Sequence, residues 1–367
     1  MILIEADRDA LLKPLQAVSG IVERRHTLPI LSNVLLERKS KKIRFVATDL
    51  EIQVATEAEC GTKGEDAAVT TSARKLQEIL RALPDKTRVV LEQKDNRMLV
   101  KAGKSHFSLQ TLPAEDFPRQ TVTTAQHKEK ISQKDLKQLF GSVQYSMAQQ
   151  DVRYYLNGLL LVIDEEQIKV IATDGHRLGY ASIAQKHKKP HQEVILPRKA
   201  VMEISRLLEN TDNDVAIEVT PNQVIFSFSN IDLTTKVIDG KFPDYTRVIP
   251  SNYQKHIVIS RQPLQQALQR IAILANEKFR GVRWVLTEGN LRIVCTNNEQ
   301  EEAEEELEVD YKGEPLDIGF NISYLLDVLN YLDCEKVDCA FGDANSSALI
   351  TIPGNSDFKY VVMPMRI

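Results

Sequence analysis

Apolar and polar residues alternate along three stretches of the chain: KIRFVATDLEIQVATE (42–57), QIKVIATDGHRLGYAS (167–182) and NLRIVCTNNEQEEAEE (290–305). Each runs to a threonine, turns through polar residues and alternates again. A period of two broken by turn-forming residues predicts a β-hairpin. The threonines, Thr48, Thr173 and Thr296, stand 125 and 123 positions apart. A helical period keeps the same spacing. SARKLQEILRAL (72–83), PRKAVMEISRLL (197–208) and ISYLLDVLNYL (322–332) start 125 positions apart, with Leu76, Ile79, Leu80 and Leu83 forming the apolar face of the first. A further helix is predicted upstream of each hairpin, over 8–22, 133–148 and 261–275. Leu136, Phe140, Val143 and Met147 mark the second of these, and Leu264, Leu268, Ile271 and Leu274 the third. Ser132 and Ser260 suit N-caps, and Pro197 suits a helix start. Phe117-Pro118 recurs as Phe242-Pro243, and HFSLQTL and LTTKVID read as additional strands.

A repeat of this length is too long for a solenoid and reads as three copies of one domain. The expected domains are 1–126, 127–252 and 253–367, each ordered helix, strands, helix, strands. Helices packed on antiparallel sheets make the fold class α+β. A chain of 367 residues also exceeds what one core usually supports.

Charge complicates any nucleic-acid reading. The net charge is −4, whereas a simple DNA-coating protein is usually basic. Segregation of the charges removes the objection. Bases recur on the helices: Arg74, Lys75 and Arg81; Lys134 and Lys137; Arg198, Lys199 and Arg206; Arg261 and Arg270. Repetition predicts that these helices share one surface. The acidic pole is EQEEAEEELEVD (299–310), with eight carboxylates and no base. It reads as a charged strand edge or as a complement to Lys75, Arg97 and Lys104.

Little in the sequence points to catalysis or metal. Cys60, Cys295, Cys334 and Cys339 match no zinc or redox spacing and read as free thiols of a reducing cytoplasm. No apolar run approaches the roughly 18–20 residues of a membrane span, and the N-terminus lacks a secretory pattern. Asp174, His176 and Ser182 could be drawn as a hydrolase site. However, no G-x-S-x-G occurs, and the other two hairpins lack the histidine, so a repeated turn is the expected reading. QQDVRYYLNG (149–158) places Arg153 beside Tyr154 and Tyr155, where aromatics can stack on bases or pack on backbone. Arg24-Arg25 occupies the corresponding loop of the first copy.

The ordered set LLKPLQAVSGIVERRHTLPILSN, ATDLE, LPAEDFP, QDVRYYLNG, ATDGHRL, KFPDYTRVIP, ILANEKFRGVR, NNEQEEAEE and YVVMPMRI closely resembles the bacterial sliding-clamp family, the beta subunits of the replicative DNA polymerase. The likeness covers the whole chain. It implies a head-to-tail homodimeric ring around double-stranded DNA, cytoplasmic, non-catalytic, with no cofactor and no metal. It further implies the clamp loader and replicative and translesion polymerases as partners, with no membrane. The implied DNA contacts are Arg25, Arg74, Gln150, Tyr154 and Tyr155. The implied ring interface sets Phe107 and Leu109 against Ile273 and Leu274, with Lys75, Arg97 and Lys104 facing Glu299, Glu301 and Glu305. The implied partner-peptide cleft takes Leu156, Thr173, Gly175, His176, Arg177, Leu178, Pro243, Arg247, Val248, Val361, Met363, Pro364, Met365 and Arg366. Met side chains adapt to varied apolar anchors, which suits such a cleft. The competing reading is a module that grips linear duplex without encircling it.

Overall fold

The computed structural model describes residues 1–23, 28–59, 65–120, 127–185, 191–276 and 278–366. Among them one element order recurs three times. The first pass is β1 (Ile2–Asp7), α1 (Arg8–Ser19), β2 (Asn33–Lys39), β3 (Lys42–Thr48), β4 (Ile52–Glu59), β5 (Ala67–Ser72), α2 (Ala73–Ala82), β6 (Arg88–Lys94), β7 (Arg97–Ala102) and β8 (Ser105–Leu112). The second is β9 (His127–Ser132), α3 (Gln133–Val143), β10 (Gly158–Ile163), β11 (Gln167–Thr173), β12 (Arg177–Ala184), β13 (Gln192–Pro197), α4 (Arg198–Leu207), β14 (Asp214–Val219), β15 (Gln223–Phe228) and β16 (Ile231–Lys236). The third is β17 (Lys255–Ser260), α5 (Arg261–Ile271), β18 (Gly281–Thr287), β19 (Asn290–Thr296), β20 (Glu302–Glu308), β21 (Leu316–Asn321), α6 (Ile322–Tyr331), β22 (Lys336–Phe341), β23 (Ala348–Ile352) and β24 (Asn355–Val362).

Each pass therefore opens on a strand that the sequence reading omits. These strands are six residues long and enter their helices with no turn residue between. The first helices also stop early, at Ser19, Val143 and Ile271. After α3 the backbone tightens into a 3-10 turn at Gln144–Ser146. Ser260 stands at the N-cap of α5, but its hydroxyl makes no capping bond. Ser72 and Asn321 do cap α2 and α6, accepting from Lys75 N and Ser323 N. Pro197 ends β13, one position before its helix.

The chain forms two compact units, residues 1–134 with 202–237 and residues 135–201 with 238–367. The first unit holds one twelve-stranded sheet, ordered β1-β6-β7-β8-β5-β2-β3-β4-β16-β15-β14-β9. The second holds an eight-stranded sheet, β13-β10-β11-β12-β24-β23-β22-β17, and a four-stranded sheet, β20-β19-β18-β21. All pairings are antiparallel. Successive passes join in one way. The second strand of the central hairpin pairs with the last strand of the next pass: β4 with β16, and β12 with β24. Helices cover these sheets. In the first unit α1 lays Leu11, Leu15 and Val18 against β3, β4 and α2. In the second, α5 and α6 pack over a core where Trp284 meets Phe320 edge-to-face, ring centres 5.6 Å apart.

One repeated contact ties each helix pair. Arg8, Gln133 and Arg261 are the first residues of α1, α3 and α5. Arg8 Nε donates to Leu80 O at 2.8 Å. Arg261 donates to Leu329 O and Cys334 O, both at 3.0 Å. Carbonyls at a helix C-terminus have no partner inside the helix, so these arginines cap α2 and α6. In the second pass Gln133 Oε1 accepts from Glu209 N at 3.0 Å just beyond α4. Arg261 is thus not the free helix-surface base expected from sequence. Arg198 is likewise held, donating to Met147 O at 3.0 Å. Arg206 is bound to Glu203 at 2.6 Å and to Ala17 O at 2.9 Å. Repetition of a base marked a packing role in these cases.

Candidate functional site

The turn between β11 and β12 is built by Thr173 and Asp174. Thr173 Oγ1 donates to Arg177 O at 2.6 Å and accepts from Gly175 N at 3.1 Å. Asp174 Oδ1 accepts from His176 N and Arg177 N at 2.9 and 3.1 Å. Thr48 and Asp49 repeat all four bonds in the first pass. The third hairpin departs from them. It has five turn residues, Asn297 to Glu301, with Asn297 Oδ1 accepting from Glu299 N and Glu301 N. Two turns are equivalent and the third is longer, where sequence had predicted three alike. The hydrolase reading fails on geometry. Ser182 lies six positions along β12 from exposed His176, on the order of 20 Å away. Its hydroxyl faces Asp357 Oδ1 at 3.3 Å.

Arg177, expected among the cleft residues, has its guanidinium held within the chain. It pairs with Asp174 at 3.0 Å and Asp327 at 2.6 Å, donates to Tyr145 O at 2.5 Å, and lies 4.3 Å from the ring centre of Tyr324. Its side chain is only 10% exposed. Burial pushes the neighbouring Tyr145 and Tyr360 hydroxyls well above their ordinary pKa. Sequence reasoning missed Asp327, Tyr324 and Tyr145. A lone carboxylate in the apolar helix ISYLLDVLNY was the available signal.

The chain's last residues lie beside this turn. Met363 N donates to His176 O at 2.8 Å, and Met365 N to Gly319 O at 2.9 Å. Gly175, His176, Pro243, Arg247, Val248, Met363 and Arg366 are exposed; Pro364 and Met365 are half-buried. Leu156, Thr173, Leu178 and Val361 are buried, so they shape the site without offering free side chains. Leu178 and Val361 join Tyr180 and Phe242 in one apolar cluster beneath it. Arg247 is paired with Asp244 at 3.0 Å.

Of the expected DNA contacts, Arg25 lies outside the described residues. Gln150 is exposed and left-handed, with φ 56°. Tyr154 is exposed, and Tyr155 packs against the Phe242 cluster with its ring edge-on to Tyr154. Arg153 is held by Asp151 at 2.9 Å, and that bond lowers the Asp151 carboxyl to about 2. Arg74 is exposed but paired with Glu78 at 2.7 Å.

Of the expected ring-contact residues, Ile273 is 79% exposed and Phe107 is exposed, whereas Leu109 is buried and Leu274 half-buried. Lys75, Arg97 and Lys104 are exposed. Glu299 is free at the surface of its turn, while Glu301 takes the Asn297 amide at 2.6 Å. Glu305 is already paired with Arg270 at 2.5 Å. No group of three or more metal-binding side chains occurs among the described residues, and no helix among them is long and apolar enough to cross a membrane. Cys295, Cys334 and Cys339 are free thiols, and Cys60 lies outside the described residues.

Three sequence profiles of the DNA polymerase III beta subunit match the chain in succession: its N-terminal domain at residues 2–122, its central domain at 130–244 and its C-terminal domain at 246–366. The beta sliding clamp of Pseudomonas putida is 45% identical over 98% of both chains. That of Escherichia coli is 44% identical over 98% of this chain and 99% of its own. A crystal structure of the DNA polymerase III subunit beta from Pseudomonas aeruginosa superposes with a TM-score of 0.96, at 44% identity and over 100% of both chains. The chain belongs to the beta sliding clamp family. Its function is that of a DNA polymerase processivity clamp, and the α+β class read from sequence is that of the family. Another Pseudomonas aeruginosa clamp, 44% identical and covering 99% of both chains with a TM-score of 0.94, is bound to griselimycin.

Proposed function

We propose that two copies of the chain close head to tail into a ring around duplex DNA. One observation carries this reading. Passes join by β4 with β16 and by β12 with β24, which leaves β20 of the third pass and β8 of the first without their counterparts. β20 is an edge strand, and β8 meets β5 only at Thr111 and Leu112. A surface that repeats one heterologous contact must close or grow into a filament. The ladders also set the register. Val54 pairs with Leu233, and Gly179 with Tyr360. The corresponding pair on the free edges is Ala303 with the partner's Phe107. Glutamates along β20 and the bases near β8 then face each other across the join, and exposed Ile273 gains cover.

The ring encircles DNA with three domains per subunit, 1–126, 127–252 and 253–367. It holds DNA by topology, through phosphate contacts that carry no sequence information. Arg25, Arg74, Gln150, Tyr154 and Tyr155 make such contacts. The Met363–Arg366 tail and the Asp174–His176 turn take short extended peptides of polymerases and the clamp loader. The protein works in the cytoplasm and catalyses no step itself. The test is loading onto nicked circular DNA. Retention on circles with loss after linearisation is expected; equal retention on both would favour a module that grips DNA without encircling it.

A further inference from the structure

We propose, resting on the ring reading, that the joint between copies has a second half beside the β8 and β20 edges: the partner's Arg81, on α2, seats its guanidinium on the carbonyls at the end of α5. Three observations carry this. First, the chain makes such a contact twice within itself, each time where one pass meets the next. Arg206, in the last turn of α4, donates to Ala17 O of α1 at 2.9 Å. Tyr331, the last residue of α6, donates to Gln138 O of α3 at 2.6 Å. The second helix of each later pass thus lands on the first helix of the pass before it, in the same order as β16 on β4 and β24 on β12. Among the described residues α2 and α5 are left without it, and they belong to the same two passes as the unmatched edges of β8 and β20. Second, α2 carries the side chain. Counting from Ala73 and Arg198, the first residues of α2 and α4, Arg81 and Arg206 hold the same position. Arg206 is engaged, whereas Arg81 is exposed and, among the described residues, its guanidinium takes part in no hydrogen bond or ion pair. Glu78, the counterpart of Glu203, pairs with Arg74 instead, at 2.7 Å. Third, α5 offers the acceptor. Counting from Arg8 and Arg261, buried Leu11, Leu15 and Val18 correspond to buried Leu264, Leu268 and Ile271, and Ala17 corresponds to Arg270. The Arg270 side chain is turned to Glu305, so its charge is neutralised while the carbonyls at this negative helix end still attract a cation.

β8 and β20 are not paired within the chain, so the occupant of this seat is a second copy. The open joint differs from the two closed ones in its packing. Gly20 lets Glu203 and Arg206 against the end of α1: a β-carbon there would lie 2.6 Å from Arg206 Nη2. Gly141 admits the Tyr331 ring in the same way, 2.5 Å from where its β-carbon would stand. The corresponding positions of the third pass hold Ile273 and Gln269. Their side chains keep the partner's α2 from closing as tightly and leave no room for a carboxylate such as Glu203. An arginine stem spans that gap. Its methylenes cover Ile273, 79% exposed in the single chain, while the guanidinium reaches the carbonyls beyond.

The test is sedimentation equilibrium of the full-length protein without DNA, at high salt, where attraction between distant exposed charges is screened and seated contacts remain. A ring of two copies has two such joints. Arg81→Met keeps an apolar stem and removes the donor, so a loss of about fivefold at each joint should appear as about twenty-five-fold in the dissociation constant. The dilute monomer of this variant should melt as the wild type does. Arg206→Met, which breaks the contact inside the chain, should lower the melting temperature and leave the dissociation constant unchanged. A wild-type dissociation constant for Arg81→Met, in a background where Ser108→Cys with Glu302→Cys still links the subunits, overturns the Arg81 contact and leaves the ring standing. A monomer destabilised by Arg81→Met would make Arg81 a residue of its own fold and overturns it as well. No dimer and no link in the otherwise wild-type protein strikes the ring reading, and this contact with it.

Discussion

At Arg177 two ion pairs, a carbonyl bond and a ring stack meet on one planar group, which only arginine can serve in this geometry. The residue ties the Asp174 turn to α6 and to the turn after α3, so it would hold the proposed cleft in shape. Replacing Arg177 with Met should cost about 3 kcal/mol, since it strands mostly buried Asp174 and an open carbonyl. Asp327 is 40% exposed, so Asp327→Asn should cost about 1 kcal/mol or less. Urea unfolding of both variants measures this, and peptide titration reads the cleft. Arg177→Met should weaken peptide binding even at temperatures where the fold is intact. Unchanged peptide affinity in the folded variant would make Arg177 a stabilising residue only. Little of this was legible in sequence: ATDGHRL holds Arg177 and Asp174, but Asp327 is 150 positions away and Tyr145 lies 32 positions before the arginine.

The hairpins and the helix cores were legible at the scale of elements, because each carries its own period. Alternation fixed β3, β4, β11 and β12, and the helical stripes fixed α2, α4 and α6. What was hidden depends on distant partners. β1, β9 and β17 are each defined by a ladder to β6, β14 or β22, and HKEKIS by itself has little alternation. Arg261 read as a surface base because the helix end it caps lies more than 60 positions away. The C-terminal tail belongs to this class. Chain ends fray by default, yet VVMPMR is pinned by Met363 N and Met365 N. Deleting Met363 to Ile367 removes both bonds and the exposed Met363 side chain, and leaves β24 intact. Peptide binding should fall at least about tenfold, because a few anchors carry most of the energy of a small interface. Calorimetric titration of a short Gln- and Leu-containing peptide against both proteins decides it; equal affinities would move the cleft elsewhere.

For the whole molecule the decisive feature is a pair of unmatched strand edges. An open edge lined with glutamates, as β20 is, repels indiscriminate strand pairing and accepts a partner of suitable charge. In the proposed ring, exposed Lys104, just before β8, and Lys75 and Arg97 would supply that charge. Ile273, 79% exposed in the single chain, is a large apolar group that solvent would otherwise surround. Truncating Ile273 and Leu274 together to Ala should therefore leave the monomer's unfolding almost unchanged and weaken the dimer. Burial of such side chains in an interface contributes about 1.5–3 kcal/mol each, so a shift of roughly a hundredfold or more in the dissociation constant is expected by sedimentation. High salt should weaken the wild-type dimer as well, through the screened charges along the join. The register adds a sharper demand. If Ala303 opposes the partner's Phe107, then Glu302 opposes the partner's Ser108. Ser108→Cys with Glu302→Cys should form an intersubunit disulfide under mild oxidation, whereas Ser108→Cys with Glu304→Cys, two positions along the ladder, should not. Efficient linking of the second pair and not the first would show that the edges meet in another register. A persistent dimer in the Ile273 and Leu274 variant would show that another surface closes the ring.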